Sequence, residues 1–355
     1  MNEAKQQVAA GNAVTVFTMH YPDTIYRDAQ YPFRIIRLKP LLKIGNGGFL
    51  PQLVSALKGF DVIHVHYPFY GGAEWVWLFS VVHHRQYVLT YHMDADPSGR
   101  IKLFLQKIYD LIFPRFILGH ASRIIVVDGG HARETRFRKF LTSDRVRIVH
   151  NGVNTSIFKP EIVSLATLDL EQWGSKKIIL FVGNPIPGKR LDIFLKALAE
   201  IKDEAVVGLV IGGGYYIDRY KRLSESLGLT KRVLFVGALH NRERLSQYYN
   251  AAACLAVPST AESFSLVVIE AMASGCPVVA TDLPGVRDRI SPNVDGFLVA
   301  PGSVDALVAG ITKVLSLSPA ARAEVIASAR RKMEQKYTWQ EHAEKVMTVY
   351  KELRT

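Results

Sequence analysis

Short apolar runs alternate with amphipathic segments through the first 150 residues. The runs are four to six residues long and rich in β-branched side chains, as in buried parallel strands, and helical spacing separates them. Strands are predicted at 14–18, 61–66, 87–91, 123–127 and 145–149, and helices near 50–58, 71–84, 100–118 and 130–140. This alternation predicts a parallel, doubly wound α/β sheet.

The second half repeats the alternation and predicts a second Rossmann-like domain. Its strands are predicted at 178–182, 206–211, 233–236, 254–257, 277–280 and 297–299, and its helices at 190–201, 216–227, 241–252, 264–274, 304–317 and 320–335. A length of 355 residues also favours two domains over one.

The segment 258–281 predicts a loop, a helix and a buried strand. Ser263 and Ser265 are cap-type residues, and Gly275 and Pro277 suit a helix end. Free N–H groups at such a helix start can bind an anion, for example a diphosphate. Glu262 precedes the start, and Glu270 lies ~7.5 Å beyond Ser265 along the axis at ~1.5 Å per residue.

This segment resembles the E-x7-E segment of retaining GT-B glycosyltransferases of family 4, the "glycosyl transferases group 1". The resemblance implies two Rossmann-like domains facing a cleft and a nucleotide-sugar donor. It assigns Glu262 to the donor sugar, Glu270 to the ribose, and Ser263, Phe264, Ser265 and Leu266 to the donor-binding helix start. The alternative is an amphipathic helix with a solvent-facing Glu.

The turn after strand 178–182 contains Gly183, Asn184, Lys189 and Arg190. In the family an Arg and a Lys of this turn bind the donor diphosphate. Lys189 matches the Lys, Asn184 stands where the Arg is expected, and Arg190 stands where Gly is usual. The segment with Gly237 and Leu239 resembles the family's base-contacting segment, which leaves UDP and GDP both open.

Histidines cluster at predicted strand ends of the first half, where ligands bind in such sheets. His92 resembles the family's T-x-H histidine beside the scissile bond, and His66 with Asp94 is assigned to the acceptor side. Packing roles remain the alternative. His64 is expected to face a core or the opposite sheet face. A zinc site is disfavoured, because no local spacing supplies three ligands.

Three segments are predicted: 1–157, an N-terminal Rossmann-like acceptor-side domain; 158–336, a C-terminal nucleotide-sugar-binding domain; and 337–355, a helix packing back on the first domain. The junction Val149-His-Asn-Gly-Val-Asn154 resembles the family's interdomain segment. Compared with the family, the first strand, its glycine turn and most of the first helix have no counterpart before residue 6. Three explanations stay open: a truncated gene model, a partner chain that supplies this unit, or a degenerate protein that binds without catalysis.

The net charge of +12 is uneven. Residues 1–160 hold 20 Lys and Arg against 11 Asp and Glu, a net +9, which leaves +3 for the remainder. With the basic, apolar segment 99–118, this favours an anionic membrane surface, although a solvated basic flank has the same pattern. No apolar run reaches ~18 residues and the start has no apolar core, so neither a spanning helix nor a signal peptide is expected. Two cysteines suit a reducing cytosol.

The predicted function is transfer of a sugar, with retention, from a nucleotide-diphosphate sugar to a hydroxyl acceptor, in polysaccharide or glycolipid synthesis. No metal and no cofactor beyond the donor is expected. The main alternative is a non-catalytic nucleotide-sugar-binding subunit. An oxidoreductase is disfavoured because no G-x-G-x-x-G follows the first strand of either half, and no nucleic-acid-reading motif is recognisable.

Overall fold

The structure is a computed structural model that describes residues 1–21, 28–45, 47–94 and 100–353, without the side chains of 44 and 100–102. Its strands are β1 Thr15–Met19, β2 Arg34–Leu38, β3 Lys43–Ile44, β4 Gly47–Gly48, β5 Ile63–Tyr67, β6 Tyr87–Tyr91, β7 Arg123–Val126, β8 Val146–Ile148, β9 Lys177–Val182, β10 Val206–Ile211, β11 Val233–Gly237, β12 Cys254–Val257, β13 Val278–Thr281 and β14 Phe297–Val299. Its helices are α1 Asn2–Ala9, α2 Leu53–Ala56, α3 Ala73–His83, α4 Arg100–Ile112, α5 Pro114–His120, α6 Gly129–Glu134, α7 Arg138–Leu141, α8 Leu191–Glu200, α9 Ile217–Ser226, α10 Arg242–Ala251, α11 Leu266–Ala273, α12 Pro284–Arg287, α13 Val304–Leu315, α14 Pro319–Lys336 and α15 Trp339–Lys351.

The chain forms two compact units. Unit 1 contains Met1–His150 and Trp339–Thr355, and unit 2 contains Asn151–Thr338. The sequence suggested a division after residue 157, but it falls after His150. Val153 already belongs to unit 2, because its N–H donates to the Tyr337 carbonyl there. Helix α15 belongs to unit 1, where Val346 and Val349 are buried against Val88, Ile125 and Val149.

Unit 2 is a six-stranded parallel sheet in the order β11-β10-β9-β12-β13-β14. This is the Rossmann order, with the switch point between β9 and β12. The apolar sides of α8 and α13 pack on one face, and β10 is buried along its whole length. All six strands confirm the alternation predicted for this half.

Unit 1 has its parallel strands in two separate sheets, β1-β2 and β5-β6-β7-β8. In the part of the chain that the structure describes, no strand pairing joins these two sheets. The single sheet expected for this half is therefore divided. Strand β2 was also missed, because its Arg-Ile-Ile-Arg-Leu sequence is short and contains two charged residues.

Two predicted helices of unit 1 are interrupted. The helix expected at 100–118 ends at Ile112, and Pro114 begins α5, since proline lacks the N–H that a helix interior needs. The helix expected at 130–140 is divided into α6 and α7. No single described helix has the length and apolar character to span a bilayer. Helices α13 and α14 reach that length and apolar character only when they are taken together, and they are bent by 108°.

Candidate functional site

The turn after β9 packs against the glycine loop after β10. Gly183 has a φ of 147°, and Gly212 a φ of 153°. A Cβ on Gly212 would lie 1.9 Å from the Gly183 carbonyl oxygen, so only a glycine fits there. Gly212 also donates its N–H to the Gly237 carbonyl at the end of β11, 2.8 Å away. The predicted phosphate turn and the predicted base-contacting segment, which continues to the half-buried Leu239, therefore lie at one edge of the sheet.

Lys189 and Glu262 form an ion pair at this edge. Lys189 Nζ lies 2.7 Å from Glu262 Oε1, and the Ser259 hydroxyl donates to the same oxygen. The Glu262 side chain is only 5% exposed. A Cβ on Gly285 would lie 1.9 Å from the Glu262 carbonyl oxygen, so the start of α12 fixes this loop closely. The structure thus brings together two predicted site residues that are 73 positions apart.

The start of α11 has an unusual backbone. Ser265, the residue before the helix, has a φ of 60°, and its side chain caps no N–H group. Its hydroxyl is buried and has no hydrogen-bond partner among the described residues. Phe264 is buried beneath the Arg289 guanidinium, 4.0 Å from its ring centroid, while Leu266 is exposed and Ser263 half-buried. The helix start therefore offers N–H groups and one unsatisfied hydroxyl.

Glu270 lies one helical turn further on, and both of its oxygens are engaged. Arg242 donates to Oε1 at 2.6 Å and the Tyr249 hydroxyl to Oε2 at 3.2 Å. Desolvation raises the pKa of Glu270, against the opposing effects of Arg242 and Tyr249. The Arg242 side chain is half exposed, and its guanidinium also lies over the Phe158 ring. Neither partner was predicted from the sequence, because no local pattern marks them.

The direction of Arg190, open at the sequence level, is now defined. Its Nε and a terminal nitrogen donate to the two oxygens of Asp192, at 3.0 and 2.9 Å. Arg190 is in the left-handed conformation, with a φ of 52°. Asn184 is exposed beside Gly214. Lys189 is therefore the cation of this turn that pairs with Glu262, while Arg190 holds Asp192.

His66 and His92, both predicted, are joined directly in unit 1. His66 Nδ1 lies 2.9 Å from His92 Nε2, and the rings stack at 5.1 Å. Desolvation lowers the pKa of His92 to about 4, so this imidazole is neutral at pH 7. Asp94 accepts a hydrogen bond from the Tyr91 hydroxyl and lies 3.6 Å from Arg136 Nε.

His64 was expected to face a core or the opposite sheet face; its side chain is only 10% exposed, and the opposite sheet face is wrong. Side chains two positions apart on a strand share a face, and the two rings stack at 4.6 Å. Sequence reasoning also missed Glu3, whose carboxylate lies 3.2 Å from His64 Nδ1. Burial alone would raise the pKa of Glu3, but His64, His342 and His66 outweigh it and hold this pKa well below its usual range.

Two family models cover most of the chain. The model "Glycosyltransferase Family 4" matches residues 1–157, and "Glycosyl transferases group 1" matches residues 169–332. The chain belongs to this glycosyltransferase family. The family resemblance expected from the sequence is thereby confirmed, and similar solved structures confirm the expected GT-B fold.

Curated relatives share the family but are longer. A D-inositol 3-phosphate glycosyltransferase of Mycolicibacterium smegmatis is 30% identical over 272 residues, which is 74% of this chain and 61% of the relative. The Mycobacterium marinum protein of the same name is 26% identical over 302 residues, 82% of this chain and 63% of the relative. The chain thus spans less than two thirds of the length of these relatives.

Solved structures match nearly the whole chain. Sucrose-phosphate synthase from Thermosynechococcus elongatus is 27% identical with a TM-score of 0.79, and the match covers 99% of this chain and 92% of that one. HepE from Anabaena, solved with UDP and glucose, has a TM-score of 0.81 at 18% identity, with 99% and 94% covered. The latter likeness supports the fold alone.

Proposed function

We propose that the protein transfers a sugar from a nucleotide-diphosphate sugar to a hydroxyl acceptor with retention of configuration. The observation that carries this proposal is the set of groups at one sheet edge of unit 2: the Lys189–Glu262 pair, the unsatisfied Ser265 hydroxyl and buried Glu270. These are a cation, donors for an anion, and two carboxylates that can accept sugar hydroxyls.

In the proposed complex the diphosphate occupies the start of α11, and Lys189 moves from Glu262 to a phosphate oxygen. Glu262 then accepts hydrogen bonds from the sugar and Glu270 from the ribose. Glu270 has to exchange Arg242 or Tyr249 for the ribose hydroxyls, since both of its oxygens are engaged. The exchange replaces one charge-assisted hydrogen bond by another.

In the transfer step the bond between the sugar C1 and the phosphate oxygen breaks. The acceptor oxygen forms its bond to C1 on the same face, and its proton passes to the leaving phosphate. Stabilising the leaving diphosphate is the main catalytic contribution, which we assign to Lys189 and the helix start. These groups are proposed to act without a metal at the phosphates. His92 is assigned to the donor sugar, and His66 and Asp94 to the acceptor.

We further propose UDP or GDP as the carrier and a cell-surface polysaccharide or glycolipid precursor as the acceptor, at the cytoplasmic face of a membrane. The specific rival is a subunit that binds a nucleotide sugar without turnover and depends on a partner chain. One observation favours it: Arg190 holds Asp192, and Asn184 is neutral, so the turn offers the diphosphate one cation where the family usually has two.

Calorimetric titration of Glu262→Gln and Glu270→Gln with UDP, GDP and their glucose and mannose conjugates tests the donor site. Glu270→Gln should weaken nucleoside diphosphate and sugar nucleotide alike, by roughly 1.5–3 kcal/mol for one charged hydrogen-bond acceptor. Glu262→Gln should weaken the sugar nucleotide selectively. Glu200→Gln, an exposed carboxylate at the end of α8, is the control. No effect of either variant would refute the donor site, and donor binding without hydrolysis or transfer would favour the rival.

A further inference from the structure

Several ionisable side chains of unit 1 converge on the carboxylate of Glu3. His64 Nδ1 lies 3.2 Å from Oε1, while His342 Nε2 and His66 Nε2 lie 3.1 and 3.9 Å from Oε2. Glu3, His64 and His342 are largely buried, whereas the His66 side chain is 50% exposed. These residues come from α1, β5 and α15, so only the tertiary structure assembles the cluster.

The hydrogen bonds of His342 leave its Nε2 without a proton to donate to Glu3. Its Nδ1 lies 2.7 Å from the His150 carbonyl oxygen, which can only accept, so Nδ1 carries a proton. In a neutral imidazole the other nitrogen, Nε2, then has a lone pair. That nitrogen faces Glu3 Oε2 at 3.1 Å. A positive charge, either a proton or a metal ion, has to compensate the carboxylate here.

The contact between His64 Nδ1 and the other carboxylate oxygen of Glu3, Oε1, also lacks a proton. Its Nε2 lies 2.7 Å from the Thr90 hydroxyl, and its Nδ1 lies 2.7 Å from the Tyr350 hydroxyl. Gln7 donates to both Tyr350 and Glu3 Oε1. The Tyr350 hydroxyl, which accepts from Gln7, can donate its proton to His64 Nδ1, and the pair His64 Nδ1 and Glu3 Oε1 shares no proton in that arrangement. A metal ion bound at Nδ1 would replace this proton, and the Tyr350 hydroxyl would then have to turn away.

We propose that Glu3, His64 and His66 bind a divalent zinc ion. Their ligand atoms all lie within 4.8 Å of one another. Ligand distances of ~2.0–2.2 Å place tetrahedral ligand atoms about 3.3–3.6 Å apart. His64 Nδ1 lies 3.2 Å from Glu3 Oε1 and His66 Nε2 lies 3.9 Å from Glu3 Oε2, so the ligands have to close in on a single ion by small side-chain shifts. A carboxylate with two imidazoles is a donor set typical of zinc, and exposed His66 leaves a side open for water.

Groups behind the ligands support this site. The Thr90 hydroxyl can accept a hydrogen bond from His64 Nε2, and His92 Nε2 can accept one from His66 Nδ1. Each imidazole then directs its other nitrogen toward the carboxylate. Gln7 orients the carboxylate itself. Such outer partners fix tautomer and ring direction in zinc sites. The zinc proposal uses no residue of unit 2, although its ligand His66 and the partner His92 are also the residues assigned to the acceptor and the donor sugar.

The test is titration of untagged, chelator-treated protein with ZnCl2, followed by calorimetry and by competition with a chromophoric chelator. We expect one zinc per chain, a raised Tm, and visible d–d absorption when CoCl2 replaces ZnCl2. His66→Gln, at a half-exposed position that should fold normally, should lower the affinity at least tenfold. Thr90→Val should lower it roughly 10–100-fold, as outer partners of zinc ligands do.

His240→Gln, which removes an exposed imidazole of unit 2, is the matched control and should bind zinc like the wild type. Glu3→Gln tests the carboxylate, with circular dichroism to confirm folding. Absence of stoichiometric binding by the wild type would overturn the proposal and leave imidazolium protons as the compensating charge. Full affinity in His66→Gln and Thr90→Val would overturn it as well, since zinc would then bind elsewhere. Donor binding, measured in parallel, reports separately on unit 2.

Discussion

The direction of the Arg190 side chain decides whether the turn that contains Asn184 and Arg190 offers a second cation to a diphosphate. Both lie in the turn whose cations the family uses for the donor diphosphate, and the sequence allows Arg190 to replace the missing Arg. The structure commits the Arg190 guanidinium to Asp192 through two hydrogen bonds. A residue held in this way is not free to grip phosphate unless Asp192 releases it.

We therefore expect Asn184→Arg to strengthen UDP or GDP binding roughly tenfold or more, because a guanidinium can hold two phosphate oxygens. Arg190→Gly should change the affinity little, and glycine suits its φ of 52°. Calorimetry on the single and double variants measures both effects. A severe loss in Arg190→Gly with no gain in Asn184→Arg would mean that Arg190 leaves Asp192 for the phosphates.

At the scale of elements, α4 carries an exposed apolar surface. Leu111 is 77% and Phe104 63% exposed, and Leu103, Leu105 and Ile108 are exposed beside them. Lys107 on the same helix and Arg115 on α5 are exposed cations. Arg100 and Lys102, also part of the predicted basic segment, have side chains outside the described residues. Exposed apolar and basic groups together favour an anionic bilayer surface.

The double variant Phe104→Glu/Leu111→Glu should lose co-sedimentation with anionic vesicles that the wild type shows. Binding by the wild type should also weaken with salt, since the Debye length falls from ~10 Å at 0.1 M to ~3 Å at 1 M. Ile162→Glu changes a fully exposed apolar residue of unit 2 and should bind like the wild type. Equal binding to neutral and anionic vesicles would contradict an electrostatic contribution to membrane binding.

The residue after α15 joins that helix to two strands. Glu352 lies 2.6 Å from Arg123 Nε on β7 and 2.8 Å from a terminal nitrogen of Arg147 on β8. Hydrogen bonds from Arg147 and Arg123 lower the pKa of Glu352. A carboxylate with a lowered folded-state pKa stabilises the fold above its unfolded pKa, and this contribution is lost as pH falls through the folded value.

Glu352→Gln should therefore lower the free energy of unfolding by about 0.5–1 kcal/mol at pH 7, the usual range for a partly exposed pair. The difference from wild type should persist above pH ~4.3, the ordinary Glu pKa, and close below it. Urea unfolding at several pH values measures this. A difference that stays constant down to acid pH would show that the ion pairs are not its cause.

At the scale of the molecule, the C-terminal helix completes unit 1 after the chain has finished unit 2. Val346→Asp would bury a charge where Val88, Ile125 and Val149 pack, and should disrupt unit 1 selectively. Limited proteolysis should then cut within residues 1–150, while 151–338 remain protected and bind nucleotide. Cleavage of both units at equal rates would mean that they unfold together.

The sequence by itself determined the local features of this protein. Strand and helix periods are properties of consecutive residues, so all six strands of unit 2 were found within about one residue. The helix end at Gly275, with a φ of 79°, likewise follows from turn chemistry alone. The E-x7-E segment indicated the family, which both family models confirm.

Tertiary structure alone decided which side chains meet. The pairs Lys189–Glu262 and Arg242–Glu270, and the cluster of Glu3 with three histidines, join residues far apart in the chain. Strand order and helix packing bring these groups together, and neither is a property of a short window of sequence. The same reason explains why the sequence disfavoured a zinc site although the fold brings three potential ligands together, and why the parallel strands of unit 1 form two sheets.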